Sequence, residues 1–175
     1  MYRICGDWMR DTETTVPSRE VAVPSSIDLG GRQVDLMEYA GHTASDLVVL
    51  DRGSGVMFAG GLVFADRAPT TPHADLPAWL DSLRRLSALP FRVVVPSHGI
   101  VRSDDLGIRQ TIDYLRWLEH RFTQSAVLGD ELVEVIRQPI PDRFRSMGAV
   151  EDEYVRNVTH LYPHYERQGL RGDLQ

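Results

Sequence analysis

Up to residue 58 the apolar positions alternate with polar ones or run in short blocks, and from residue 76 onward they recur every three or four residues. "GGRQVDLMEY" opens on a Gly-Gly turn and then sets Val34 and Leu36 against Asp35 and Met37, which is the period of a strand. "DLVVLD" (46–51) is a short apolar run closed by the turn signal "RGSG", and "VMFAG" is its hairpin partner. "EVAV" (20–23) predicts a further short extended segment. In "DLPAWLDSLRRLSALP" the spacing of Trp79, Leu80, Leu83, Leu86 and Leu89 predicts an amphipathic helix, with Asp75 as N-cap, Pro77 in the first turn and Pro90 past the end. "FRVVVPSHG" reads as a buried strand that Pro96 and Gly99 turn away, so Ser97 and His98 fall at its carboxyl end. Ile108, Ile112, Leu115, Leu118 and Phe122 mark a long helix that "SDD" (103–105) can cap. "GDELVEVIRQP" and "EDEYVRNVTHLYPHYERQ" supply two more, the last with Pro163 inside it to kink or end it. The order ββββ-α-β-ααα predicts an α/β (α+β) chain, a mixed sheet covered by helices.

Composition narrows the function classes. With 175 residues and 42% hydrophobic content the chain fits one domain. A net charge of −6, from 25 acidic and 19 basic residues, argues against a grip on nucleic acid. Cys5 stands alone, which excludes an intramolecular disulfide and a thiolate cluster; we read it as a spectator. No segment is apolar for the ~18 to 20 residues of a membrane span, and "MYRICGDWMR" lacks the order of a signal peptide, so no membrane partner and a cytoplasmic location are expected as the chain is written.

Six histidines carry the candidate chemistry. Zinc requires three or four donors converging at ~2.0 to 2.3 Å, so each imidazole is weighed singly. His120, in "LEHR", reads as a solvent-facing helical residue. His160 and His164 stand four apart, a spacing that places two imidazoles on one helix face, but Pro163 between them argues against a metal there. His42, in "GHTASDLVVL", and His98, in "VVVPSHG", each sit in a glycine-flanked turn beside an apolar strand, and each is as suited to ligation as to capping. His73, in "APTTPHAD", is either a surface residue or a substrate contact. Ser97 lies in no Gly-x-Ser-x-Gly elbow and has no base assigned, so it is not read as a nucleophile, and no catalytic residue is assigned.

Taken in order, "GHTASDLVVLDRGSGVMFAGGLVF" followed by "ADLPAWLDSLRRLSALPFRVVVPSHG" resembles the C-terminal half of a metallo-β-lactamase superfamily zinc hydrolase. The likeness covers residues 30–102, leaving 103–175 as a helical C-terminal extension of a single partial domain. "CGDWM", "RAPTTPHADLPAWL" and "LYPHYE" resemble the quinoprotein-relay zinc metallohydrolase branch. The resemblance implies an αββα sandwich of two similar halves with metals at the sheet edges. It implies that a His-x-His-x-Asp-His motif in the first half joins His42 on one zinc and His98 on the other. Gly61 stands where the family commonly has a metal-bridging acid. Thr43 and Asp46, close after His42, are candidates to orient its imidazole. The implied chemistry is hydroxide attack, from zinc-bound water, on an ester-, lactone- or amide-type bond.

No His-x-His-x-Asp-His occurs in the 175 residues. The chain is therefore expected to represent an N-terminally truncated hydrolase that alone binds zinc weakly or not at all, with a small-molecule substrate once completed. Half a sandwich should also bare the inner face of its sheet, including some of Val34, Leu36, Val48, Leu50, Val93 and Val95. A complementary N-terminal half or a homo-oligomer would cover it. A missing N-terminal segment with a signal peptide would make the location periplasmic. The alternatives are a catalytically inactive remnant or self-associating module, and a small-molecule binder using a pocket around His42, His73 and His98.

Overall fold

Alternation in residues 33–39 and the apolar block 46–51 build the centre of the fold. The computed structural model describes residues 12–18 and 20–172; Cys5 and "CGDWM" lie outside the described residues. One sheet holds β1 (Ser25–Asp28), β2 (Gln33–Tyr39), β3 (Asp46–Asp51), β4 (Val56–Phe58) and β5 (Val93–Val95), in that spatial order. The first four strands pair antiparallel and β5 pairs parallel to β4, a mixed sheet as expected. The first strand lies past "EVAV", not within it. Glu20, Val21 and Ala22 are exposed, and pairing begins at Ser25, beyond Pro24, whose ring nitrogen has no hydrogen to give a ladder.

Pleating sorts the sheet into two faces. Met37, Tyr39, Val48, Leu50, Met57 and Val94 point into the core beneath α1 (Leu76–Ser87), whose Trp79, Leu83 and Leu86 are fully buried. Leu36, Val49, Phe58 and Val95 stand in register across four strands on the opposite face. Of the six residues from which the bare face was expected to draw, Val48 and Leu50 belong instead to the covered side, because they share the phase of Met37 and Met57. On the opposite face Leu47 is 50% exposed and Phe58 46% exposed. Val34 is buried there, while Leu36, Val93 and Val95 are half-buried.

The helical layer follows the three-to-four-residue repeat. Asp75 accepts a hydrogen bond from the Ala78 backbone N–H at 3.0 Å and starts α1, with Pro77 in its first turn. α2 (Leu106–Leu128) begins where Asp104 accepts from the Leu106 N–H, and α3 is Leu132–Arg137. α4 (Val150–Arg171) packs along α2 and runs through Pro163 without ending, so of the kink or end expected there the end does not occur. Losing one helical hydrogen bond at a proline costs ~3 kcal/mol. Burial of Val150, Tyr154, Val158 and Tyr162 on one stripe, at ~1.5 to 3 kcal/mol each, outweighs it.

Candidate functional site

Strand direction brings the predicted site residues to one end of the sheet. β4 and β5 end level, with Phe58 opposite Val95, and antiparallel β3 starts there, with Asp46 opposite Tyr39. The turn between β2 and β3 carries His42, the single helical turn Gly60–Leu62 follows β4, and the segment after β5 carries His98. Residues 59–65 run alongside 95–98: Ala59 N–H donates to Val95 O, Ser97 N–H to Val63 O and Ala65 N–H to His98 O at 2.8–3.0 Å.

Both histidine turns depend on glycine. Gly41 has φ +135°, and a Cβ there would lie 2.2 Å from the Trp79 Cα. Gly99 has φ +96°, and a Cβ would fall 1.7 Å from the Ala65 carbonyl oxygen. No L side chain fits either place, so helix α1 and the 59–65 segment press directly on the backbone beside each imidazole.

Asp46 organises the first turn. Its Oδ2 accepts from the backbone N–H of His42 at 3.1 Å and of Thr43 at 3.0 Å, and its Oδ1 accepts from the Thr43 hydroxyl at 2.9 Å. The His42 Nδ1 lies 3.4 Å from Asp46 Oδ1. The carboxylate thus holds the turn by backbone contacts and faces one ring nitrogen, which leaves Nε2 as the nitrogen open to an outside partner.

Beneath the ring lies Gly61. A Cβ at residue 61 would sit 2.2 Å from His42 Nδ1 and 2.6 Å from Cε1, so the imidazole occupies the volume of a side chain there. Phe64 and Trp79, which the sequence marked only as apolar positions, complete the surroundings. Trp79 meets the His42 ring edge-on at 5.2 Å, and Phe64 lies 6.0 Å from His42 and 5.4 Å from His98. Phe64 therefore contacts both imidazoles. It is pinned by Thr111 of α2, whose hydroxyl accepts from the Phe64 N–H at 3.1 Å, while the Trp79 indole N–H donates to Leu62 O at 2.9 Å. Helical spacing revealed Trp79 as a buried-face position, whereas Thr111, a polar residue beside the apolar stripe, gave no such signal; that both grip this segment required the packing.

His73 does not join this group. It lines a separate cleft with His160 and His164 of α4, and neither His42 nor His98 lines that cleft. His120 is exposed on α2, as its charged neighbours implied. Among the described residues no three His, Cys, Asp or Glu side chains converge as a metal site would require. Two imidazoles, each beside Phe64, with glycine at the acid's position, do not by themselves fit a zinc ion that needs three or four donors.

Residues 15–98 match the Metallo-beta-lactamase superfamily. The fold is similar to a metallo-beta-lactamase from Pontibacter korlensis, with TM-score 0.53 and 28% identity over 63% of this chain and 54% of that one. It is also similar to metallo-beta-lactamase IND-7, with TM-score 0.53 and 18% identity over 63% and 53% of the two chains. A metallo-beta-lactamase family protein from Thermus thermophilus gives TM-score 0.54 at 16% identity, over 89% of this chain and 50% of that one. The chain spans about half the length of these solved structures. No curated protein matches it significantly. No helix among the described residues is long and apolar enough to cross a membrane.

Proposed function

With residues 15–98 carrying a metallo-β-lactamase superfamily domain, we propose that this chain supplies His42 and His98 as one half of the metal centre of a zinc-dependent hydrolase. The other donors come from a segment outside these 175 residues that bears the His-x-His-x-Asp-His motif. The observation that carries the proposal is the meeting of two glycine-determined turns at one sheet end, each presenting an imidazole against Phe64, beside a sheet face whose Leu47 and Phe58 are about half exposed. In this reading Asp46 and Thr43 hold the His42 turn, Phe64 and Trp79 keep water from the inner side of the ring, and the bond attacked is of ester, lactone or amide type. "RAPTTPHADLPAWL" and "LYPHYE" favour the quinoprotein-relay branch.

The test joins this chain, by co-expression, to a metallo-β-lactamase-type half carrying the motif. Alone, the chain should purify with far less than one zinc per molecule. The joined protein should hold zinc and hydrolyse a chromogenic ester or lactone, and His42→Ala and His98→Ala should each abolish both properties. Near-stoichiometric zinc in the lone chain that disappears in the same two variants would overturn the reading, as would a joined enzyme indifferent to them.

The half-exposed Leu47 and Phe58 support a second reading, a non-catalytic module that associates with itself through this face. It predicts a stable oligomer of the lone chain and no zinc or turnover after joining.

A further inference from the structure

Pro163 lies between His160 and His164, and α4 continues as helix on both sides of it. On an unbroken helix, residues four apart lie one above the other on the same face, separated by about one 5.4 Å turn. Both histidines are exposed, and both open onto one cleft of about 650 Å³ between the start of α1, the middle of α2 and α4. The opposite walls bring His73 and Asp75 from the loop before α1, and Glu119 from α2.

From these observations we propose that His160 and His164 chelate a borderline divalent transition-metal cation, of the copper, nickel and zinc class, at the mouth of this cleft. The site is separate from the His42 and His98 turns. Two neutral imidazoles one helical turn apart supply the donors such ions prefer, and water completes the coordination, since no third side chain converges on the pair among the described residues. The walls favour a cation. Asp75 and Glu119 face into the cleft beside Tyr165, whose hydroxyl is pushed up to about 12 by burial first and then by those two carboxylates. His164 Nε2 accepts from the Gln168 side-chain amide at 3.0 Å, a contact that a metal bound there displaces, and the Tyr165 ring stands edge-on to its imidazole at 5.9 Å.

Tag-free protein carrying His42→Ala and His98→Ala, which removes the other candidate ligands, is titrated calorimetrically with Cu²⁺, Ni²⁺, Zn²⁺ and Mg²⁺. The expected result is one ion per chain, with Cu²⁺ bound more tightly than Ni²⁺ or Zn²⁺ and no heat from Mg²⁺. His160→Ala or His164→Ala should each weaken binding by about tenfold or more. His120→Ala, outside the cleft, should change nothing. Because both side chains are exposed, metal-free melting of the variants should match the parent and so establish that they fold. Mg²⁺ binding comparable to Ni²⁺ would assign the ion to the carboxylates and overturn the proposal. Transition-metal affinity that survives both cleft substitutions would overturn it as well.

Discussion

His42 and Gly61 claim the same volume, and that makes them energetically coupled. An aspartate placed at residue 61 meets the imidazole at 2.2 Å, so Gly61→Asp should destabilise the chain by roughly 1 to 3 kcal/mol as ring or backbone moves. In a His42→Ala background the same change should be near neutral, a coupling of about 1 to 3 kcal/mol in a urea-denaturation cycle. Equal cost in both backgrounds would refute the shared volume. Far along the sheet, Asp51 is held down to about 2 from its ordinary 3.8 by hydrogen bonds from Arg32 first and Ser54 next. A depressed carboxylate stabilises the fold above its unfolded value, and that contribution is lost as pH falls through the folded one. The Tm gap between the parent and Arg32→Ala should therefore be largest above pH 4 and shrink toward pH 2. At this scale the glycine at residue 61 was visible in the sequence as a departure from the resembled family, but its occupation by a neighbouring ring was not, because that depends on where a turn 19 residues earlier is packed.

Among elements, α4 most clearly shows packing overriding local preference. Since the helix persists around Pro163, Pro163→Ala should restore a bond to the Thr159 carbonyl and raise stability by about 1 to 3 kcal/mol, read as a higher Tm. A lower Tm would mean that the proline ring contributes packing of its own. The same helix is tied to the segment leading out of the site by Asn157, which accepts from the Thr71 hydroxyl at 2.8 Å and donates to the Pro69 carbonyl at 3.0 Å in a fully buried position. Asn157→Ala strands both partners and should cost roughly 2 to 4 kcal/mol by urea denaturation. Periodicity announced each helix, and Asp75 announced its cap, since capping is a local hydrogen bond. It misplaced the first strand because pairing depends on what β2 offers, and it left open whether Pro163 kinks or ends the last helix because a proline's cost is local while the burial opposing it is tertiary.

Across the whole molecule the sheet keeps one face for its helices and leaves an apolar row on the other. Leu36, Val49, Phe58 and Val95 lie side by side, with Leu47 and Phe58 about half exposed, and at ~25 cal/mol per Å² their burial by another surface is favourable. The lone chain should associate with rising concentration in sedimentation velocity, and Phe58→Lys with Leu47→Lys should return it to monomer. A monomeric parent at high concentration would show that the face is tolerated in water. The sequence by itself determined the element types, the strand alternation and the two glycine-flanked histidine turns, because each is written in spacing over a few residues and in the conformational freedom of single glycines. Tertiary structure alone decided which apolar phase is covered, that Phe64 neighbours both His42 and His98, and that His73 shares its cleft with His160 and His164. Those are outcomes of strand register and helix packing, in which residues far apart in the chain compete for the same space.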